Sequence, residues 1–159
     1  MQGKTYVPEG ETPVASQIGA TLEALAQTIA NRRGAGEESY TYRLLTGCED
    51  EPLKKVAEEA GEVALAGKDV EAAQKSLDAH RAAAGVPPEY VERCAKRLDD
   101  ETDHLRYEAA DVVYHLLVVL ERYHIGIDEL AAELNARMTP EERPQGGALI
   151  VADHVRRRR

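Results

Sequence analysis

Two short acidic patterns hold the residues of this sequence best suited to chemistry. They are Glu58-Glu59-Ala60-Gly61-Glu62 and Glu108-Ala109-Ala110-Asp111. In each, two carboxylates stand three residues apart, Glu59 with Glu62 and Glu108 with Asp111. Positions i and i+3 share one face of a helix. Both pairs border an apolar stripe, Glu59 between Val56 and Val63, and Asp111 beside Val112. The spacing therefore aims them at a groove between helices. Carboxylates gathered there repel one another and lose hydration, so they call for protons, ion pairs or a bound cation. Hard oxygen donors from two helices suit Mg²⁺, with Mn²⁺ as substitute, ions that keep waters and bridge to substrate phosphates. One such pattern alone reads as a solvated acidic face. Two, each beside an apolar stripe, favour the cation site.

Around these acids lie groups of the opposite sign. Lys54 and Lys55 open the helix of the first pattern, and Lys55 is four residues before Glu59, placed either to pair with it or to reach a phosphate. Arg32 and Arg33 end an earlier helix, and Arg43 follows Thr41 after one residue. In a chain of net charge -9 these are the candidates for holding an anionic substrate. His115 stands one turn beyond Asp111, where it either steadies that carboxylate or sits inert on the helix flank. Tyr40, Tyr42, Tyr107 and Tyr114 bring hydroxyls to the same elements, although most buried tyrosines serve packing.

The elements that must position these groups read as helices. Ile18, Leu22, Leu25, Ala26 and Ile29 recur at helical spacing over 18–33, with Ser16 as cap. A short helix is expected over 40–46 after Ser39, stopped by Gly47. Pro52 opens a third, whose apolar face is Leu53, Val56, Ala57, Ala60, Val63 and Ala64, ending at Gly67. Asp69 caps a weaker segment to about Ala84, and Pro87-Pro88 starts another to about Leu98. The strongest pattern runs from Asp103 to Tyr123, and Asp128 caps a last helix through Met138. Strand-like alternation is confined to Ala148-Leu149-Ile150-Val151. The expected fold is all-α, an antiparallel helix bundle. With no Phe or Trp and abundant Ala, the core is lean, which favours completion by dimerisation, the alternative being a monomer with a lean core.

Composition bounds the partners. The 159 residues make one domain, and 43% hydrophobic with 31% charged residues describes a globular chain. The apolar run Leu116–Leu120 is too short to cross a bilayer. No apolar stretch follows Lys4, so no signal peptide is read and a cytoplasmic setting is expected. Cys48 and Cys94 lack disulfide-framework or metal spacing and are expected as free thiols. The acidic surplus lies in two windows, 49–71 at -5 and 89–111 at -4, which argues against a nucleic-acid surface.

Taken together, certain segments resemble a known family. Ser39-Tyr40-Thr41, Gly47, and Lys54-Lys55-Val56 leading into Glu58-Glu59-x-x-Glu62-Val63 resemble phosphoribosyl-ATP pyrophosphohydrolase. So does the run from Tyr107-Glu108 through Asp111 to Tyr114-His115-Leu116-Leu117-Val118. The paired acidic motifs are shared with the wider all-α MazG-like nucleoside triphosphate pyrophosphohydrolases. The Ser-Tyr-Thr and Tyr-His elements are closer to the histidine-biosynthesis branch. The resemblance implies Mg²⁺-dependent hydrolysis of phosphoribosyl-ATP to phosphoribosyl-AMP and pyrophosphate, by a homodimer. Carried over, Glu59, Glu62, Glu108 and Asp111 are metal ligands, and Glu58 is a further ligand or activates the water, with Glu59 alongside. Ser39, Tyr40, Thr41, Tyr114 and His115 join Arg32, Arg33, Lys54 and Lys55 as expected substrate contacts. The competing readings are a MazG-like house-cleaning (d)NTP pyrophosphatase and a non-enzymatic helical module with acidic faces.

The sequence departs from this family between Glu62 and Glu108, where 45 residues intervene. The domain is read as 1–138 with an inserted helical hairpin at about 71–98, followed by a flexible Arg-rich tail over 139–159. That tail either stays free or docks on an acidic surface.

Overall fold

The computed structural model describes residues 10, 12 and 16–150. It is all-helical, and no strand occurs among the described residues. Helix α1 spans Gln17–Asn31, α2 Tyr40–Thr46, α3 Asp50–Ala82, α4 Pro88–Arg122 and α5 Ile127–Asn135, with a 3₁₀ turn at Arg32–Gly34. Serine caps set two of the starts. Ser16 Oγ accepts from the Gly19 amide at 3.2 Å, and Ser39 Oγ accepts from the Tyr42 amide at 3.3 Å. Pro88 occupies the first position of α4, where its missing N–H costs nothing. Helix α4 ends through the Ile125 amide bonding back to the Leu120 carbonyl at 2.9 Å, with His124 in the left-handed region at φ 58°.

The sequence divides the chain at Gly67 and again near Leu98. The structure carries α3 and α4 straight through both points as helices of 33 and 35 residues. An interior glycine costs only about 1 kcal/mol relative to alanine, less than the packing along a long seam supplies. That seam has a seven-residue period. On α3, Pro52, Glu59, Ala66 and Ala73 are buried, with Val56, Val63, Val70 and Leu77 recurring beside them. On α4 the matching series are Val91, Leu98, Leu105, Val112 and Val119, and Cys94, Glu101, Glu108, His115 and Arg122. Sevenfold spacing keeps one stripe of each helix facing the other, the geometry of an antiparallel coiled coil. The apolar face expected on α3 is thereby split. Val56 and Val63 enter the seam, while Leu53, Ala57, Ala60 and Ala64 stay exposed.

The compact core lies at the other end of α4. Ile29, Leu44, Leu45, Leu117 and Val118 are buried together, flanked by Leu22, Leu25, Tyr114 and Leu120. Arginines fasten the smaller helices there. Arg122 donates to the carbonyls of Leu44 at 2.7 Å and Gly47 at 2.9 Å, holding the end of α2 on α4. After α5 the chain turns back along it. Asn135 Nδ2 donates to the Ala148 carbonyl at 2.8 Å, and Arg143 Nε donates to the Asn135 carbonyl at 2.9 Å. Residues 148–150 form no strand. Val151 and the arginines 156–159 lie outside the described residues. Among the described residues no helix is long and apolar enough to cross a membrane.

Candidate metal and substrate site

The seam places carboxylates where coiled coils ordinarily place aliphatic side chains. Glu59 on α3 and Glu108 on α4 both occupy seam positions and are 6% and 7% exposed. Glu62, one turn after Glu59, is exposed at the mouth. One oxygen from each of Glu59, Glu62 and Glu108 lies within 4.8 Å of the others. The crowding has an electrostatic signature. Hydrogen bonding to, and charge repulsion from, Glu59 push the Glu62 carboxyl above the ordinary carboxylate range, and Glu108 adds to the effect. Three mutually repelling carboxylates, two of them buried, form an all-oxygen donor set that fits Mg²⁺ or Mn²⁺. Asp111, half-buried on the same helix, is not among the three.

Cations line one side of the trio. Lys55 Nζ is 3.2 Å from both Glu59 Oε1 and Glu58 Oε2, and Lys54 Nζ is 3.0 Å from Glu58 Oε1. Hydrogen bonds from Lys54 and Lys55 hold the Glu58 carboxyl below its usual range. Donating to Glu58 and then to Glu59 raises the pKa of the Lys55 ammonium. Lys55 is thus positively charged between the acids and solvent.

His115 lies deeper. It is 6% exposed, with Nε2 3.7 Å from Glu59 Oε1, so it stands by Glu59 as well as one turn beyond Asp111. Burial lowers its pKa, which keeps the ring neutral. Its Nδ1 is buried without a hydrogen-bond partner, an orphan polar atom beside the acid trio. Tyr40 and Tyr114 meet the imidazole edge-on, with centroids 6.2 and 5.0 Å away. Tyr114 also shares a 2.7 Å hydrogen bond with Thr41 Oγ1, which latches α2 onto α4.

Thus Tyr40, Thr41, Tyr114, His115, Lys54 and Lys55 gather beside Glu58, Glu59, Glu62 and Glu108. The other expected contacts are engaged elsewhere. Ser39 is the α2 cap. Arg33 Nε bonds Glu121 Oε1 at 2.7 Å. Arg32 is exposed in the 3₁₀ turn, and Arg43 donates to the Glu37 and Glu38 carbonyls. One neighbour of the site escaped sequence reasoning. His104 Nε2 is 2.8 Å from Glu108 Oε1. Its signal was the i,i+4 spacing that also joins Lys55 to Glu59.

A family model described as phosphoribosyl-ATP pyrophosphohydrolase matches residues 22–138, which contain every group of this site. The chain belongs to that family. The phosphoribosyl-ATP pyrophosphatase of Neisseria gonorrhoeae is 32% identical over 119 residues, covering 74% of this chain and 83% of that protein. The phosphoribosyl-ATP pyrophosphatase of Haloarcula marismortui is 32% identical over 127 residues, covering 78% of this chain and 99% of that one. A histidine biosynthesis bifunctional protein of Halalkalibacterium halodurans is 35% identical over 124 residues, 77% of this chain and 43% of its own length. No solved structure matches the chain. Within the pyrophosphohydrolase family match, 22–138 takes in the whole α3–α4 hairpin.

Proposed function

We propose that this chain hydrolyses phosphoribosyl-ATP to phosphoribosyl-AMP and pyrophosphate, the second step of histidine biosynthesis, in the cytoplasm. The observation that carries the reading is the convergence of Glu59, Glu62 and Glu108 within 4.8 Å across the α3–α4 seam, inside a domain of this family. These three hold Mg²⁺, and Asp111 completes the set from the next turn of α4. A bound Mg²⁺ supplies Lewis acidity that offsets charge building on the phosphate oxygens.

The chain's own residues supply the rest. Lys54 and Lys55 bind the substrate's phosphates, exchanging their present carboxylate partners for phosphate oxygens. That exchange frees Glu58, whose proton affinity recovers as the lysines leave it. Glu58 Oε then takes the proton of the attacking water while the new P–O bond forms and the bridging P–O bond to pyrophosphate breaks. Glu59 orients the water from the seam, beside His115. Tyr40, Thr41, Tyr114 and His115 border the pocket for the nucleoside.

The exposed Leu53, Ala57, Ala60 and Ala64 on α3 and Ala109, Val113 and Leu116 on α4 share one side of the hairpin. Antiparallel seam geometry brings these two stripes side by side, and a second copy of the chain covers them. Residues 71–98 form the far end of the hairpin and are an insertion outside the chemistry, while the tail 139–159 contributes no ligand.

The test compares pyrophosphate release from phosphoribosyl-ATP with release from dCTP, dUTP and ATP, with and without chelator. Chelator-sensitive turnover of phosphoribosyl-ATP well above the others is expected. Equal or better turnover of ordinary nucleotides would establish a house-cleaning enzyme instead.

A further inference from the structure

We propose that His104 is a positioning residue of the metal site, holding the Glu108 carboxylate in its ligating orientation. The proposal rests on the metal reading above and deepens it. The two helices carry the same local device. On α3, Lys55 Nζ lies 3.2 Å from Glu59 Oε1, with Glu62 three residues further on. On α4, His104 Nε2 lies 2.8 Å from Glu108 Oε1, with Asp111 three residues further on. Each buried glutamate of the trio thus has a donor one turn earlier on its own helix, on the side facing solvent.

The physical need is the same on both sides. Glu108 is 7% exposed and stands against Glu59 and Glu62, so repulsion favours rotation of its carboxylate away from them. A donor fixed on Oε1 opposes that rotation and leaves Oε2 for the cation. The Nε2 nitrogen carries the hydrogen, since a carboxylate oxygen accepts. Hydrogen bonds from residues behind the ligands commonly hold carboxylates in place, and their loss weakens metal affinity by roughly 10–100-fold. His104 is itself about half exposed, so replacing it removes this 2.8 Å contact without opening a core.

Mn²⁺ binding to the full chain, without substrate, is measured by the electron paramagnetic resonance of free Mn²⁺ at pH 8. Wild type, His104→Ala and His104→Gln are compared, with circular dichroism verifying equal helicity. His104→Ala weakens binding about tenfold, and His104→Gln, which keeps an N–H donor at similar reach, restores it to within about threefold. Wild-type affinity in His104→Ala overturns the proposal, as does His104→Gln binding no better than His104→Ala. A strong imidazole-nitrogen coupling to bound Mn²⁺ in pulsed spectra, lost in His104→Ala, overturns it in favour of direct ligation. If wild type itself binds no Mn²⁺, the metal reading fails first and takes this proposal with it.

Discussion

The latch between Thr41 and Tyr114 offers a quantitative test of how α2 is held beside the acids. Its hydroxyls are 2.7 Å apart and part-buried, joining residues 73 apart in the chain. Thr41→Val keeps the side-chain shape and leaves the Tyr114 hydroxyl without this partner. Tyr114→Phe keeps the ring against His115 and leaves Thr41 without its partner. An unsatisfied, partly buried hydroxyl costs about 1–2 kcal/mol, and removing both partners costs little more than removing one. The double-mutant cycle should therefore give a coupling of about 1 kcal/mol. With a urea m-value near 2 kcal/mol/M, each single variant shifts the midpoint down by about 0.5–1 M. The double variant shifts it by about the same amount rather than twice as much. Unfolding is followed by far-ultraviolet circular dichroism at one fixed protein concentration, since association shifts the apparent midpoint. Additive effects, with coupling below about 0.3 kcal/mol, would refute the latch.

Four further outcomes follow from the same geometry. Glu62→Gln should abolish metal-dependent turnover with helicity intact, because it removes a ligand from the mouth of the trio. The raised Glu62 pKa makes the folded, metal-free protein bind more protons than the unfolded chain just above the normal carboxylate range. Its stability contribution therefore grows as pH falls through that window. Calorimetric titration with Mg²⁺ in buffers of different ionisation enthalpy should show proton release there, and Glu62→Gln should diminish it. Leu44→Ala, at a side chain with 0% exposure, should cost about 2–5 kcal/mol in a denaturant titration through cavity formation. Replacing residues 71–98 by a short Gly/Ser turn should preserve Mn²⁺ binding and much of the activity, and a folded shortened protein without either would place the hairpin tip in the site.

Much of this arrangement was legible in the residues. Serines 16 and 39 announce their helices because an N-cap is a local hydrogen bond. Glu59, Glu62 and Glu108 are legible because i,i+3 spacing and an adjacent apolar stripe specify a face. Continuity through Gly67 was not legible, since a breaker's local cost is visible in sequence and the opposing contribution from a partner helix is not. Likewise Arg33 reads as a free cation until folding brings Glu121 to it from 88 residues away. His104 is marked in the sequence only by its offset from Glu108, which repeats that of Lys55 from Glu59.

The sevenfold seam also sets a rule for how such a hairpin can change length. Each helix turns by about 100° per residue. Adding or deleting one residue in either arm would therefore swing everything beyond it out of register. Seven residues are close to two full turns, about 10 Å of helix. Matched gains or losses in that step, one in each arm, lengthen or shorten the hairpin and return Glu59 to face Glu108. The far end can then evolve as a ruler marked in heptads, while the acids near the bundle end keep their aim. Relatives of different length should differ in this stretch by paired multiples of seven, with isolated one- or two-residue differences confined to the turn between Ala82 and Pro88.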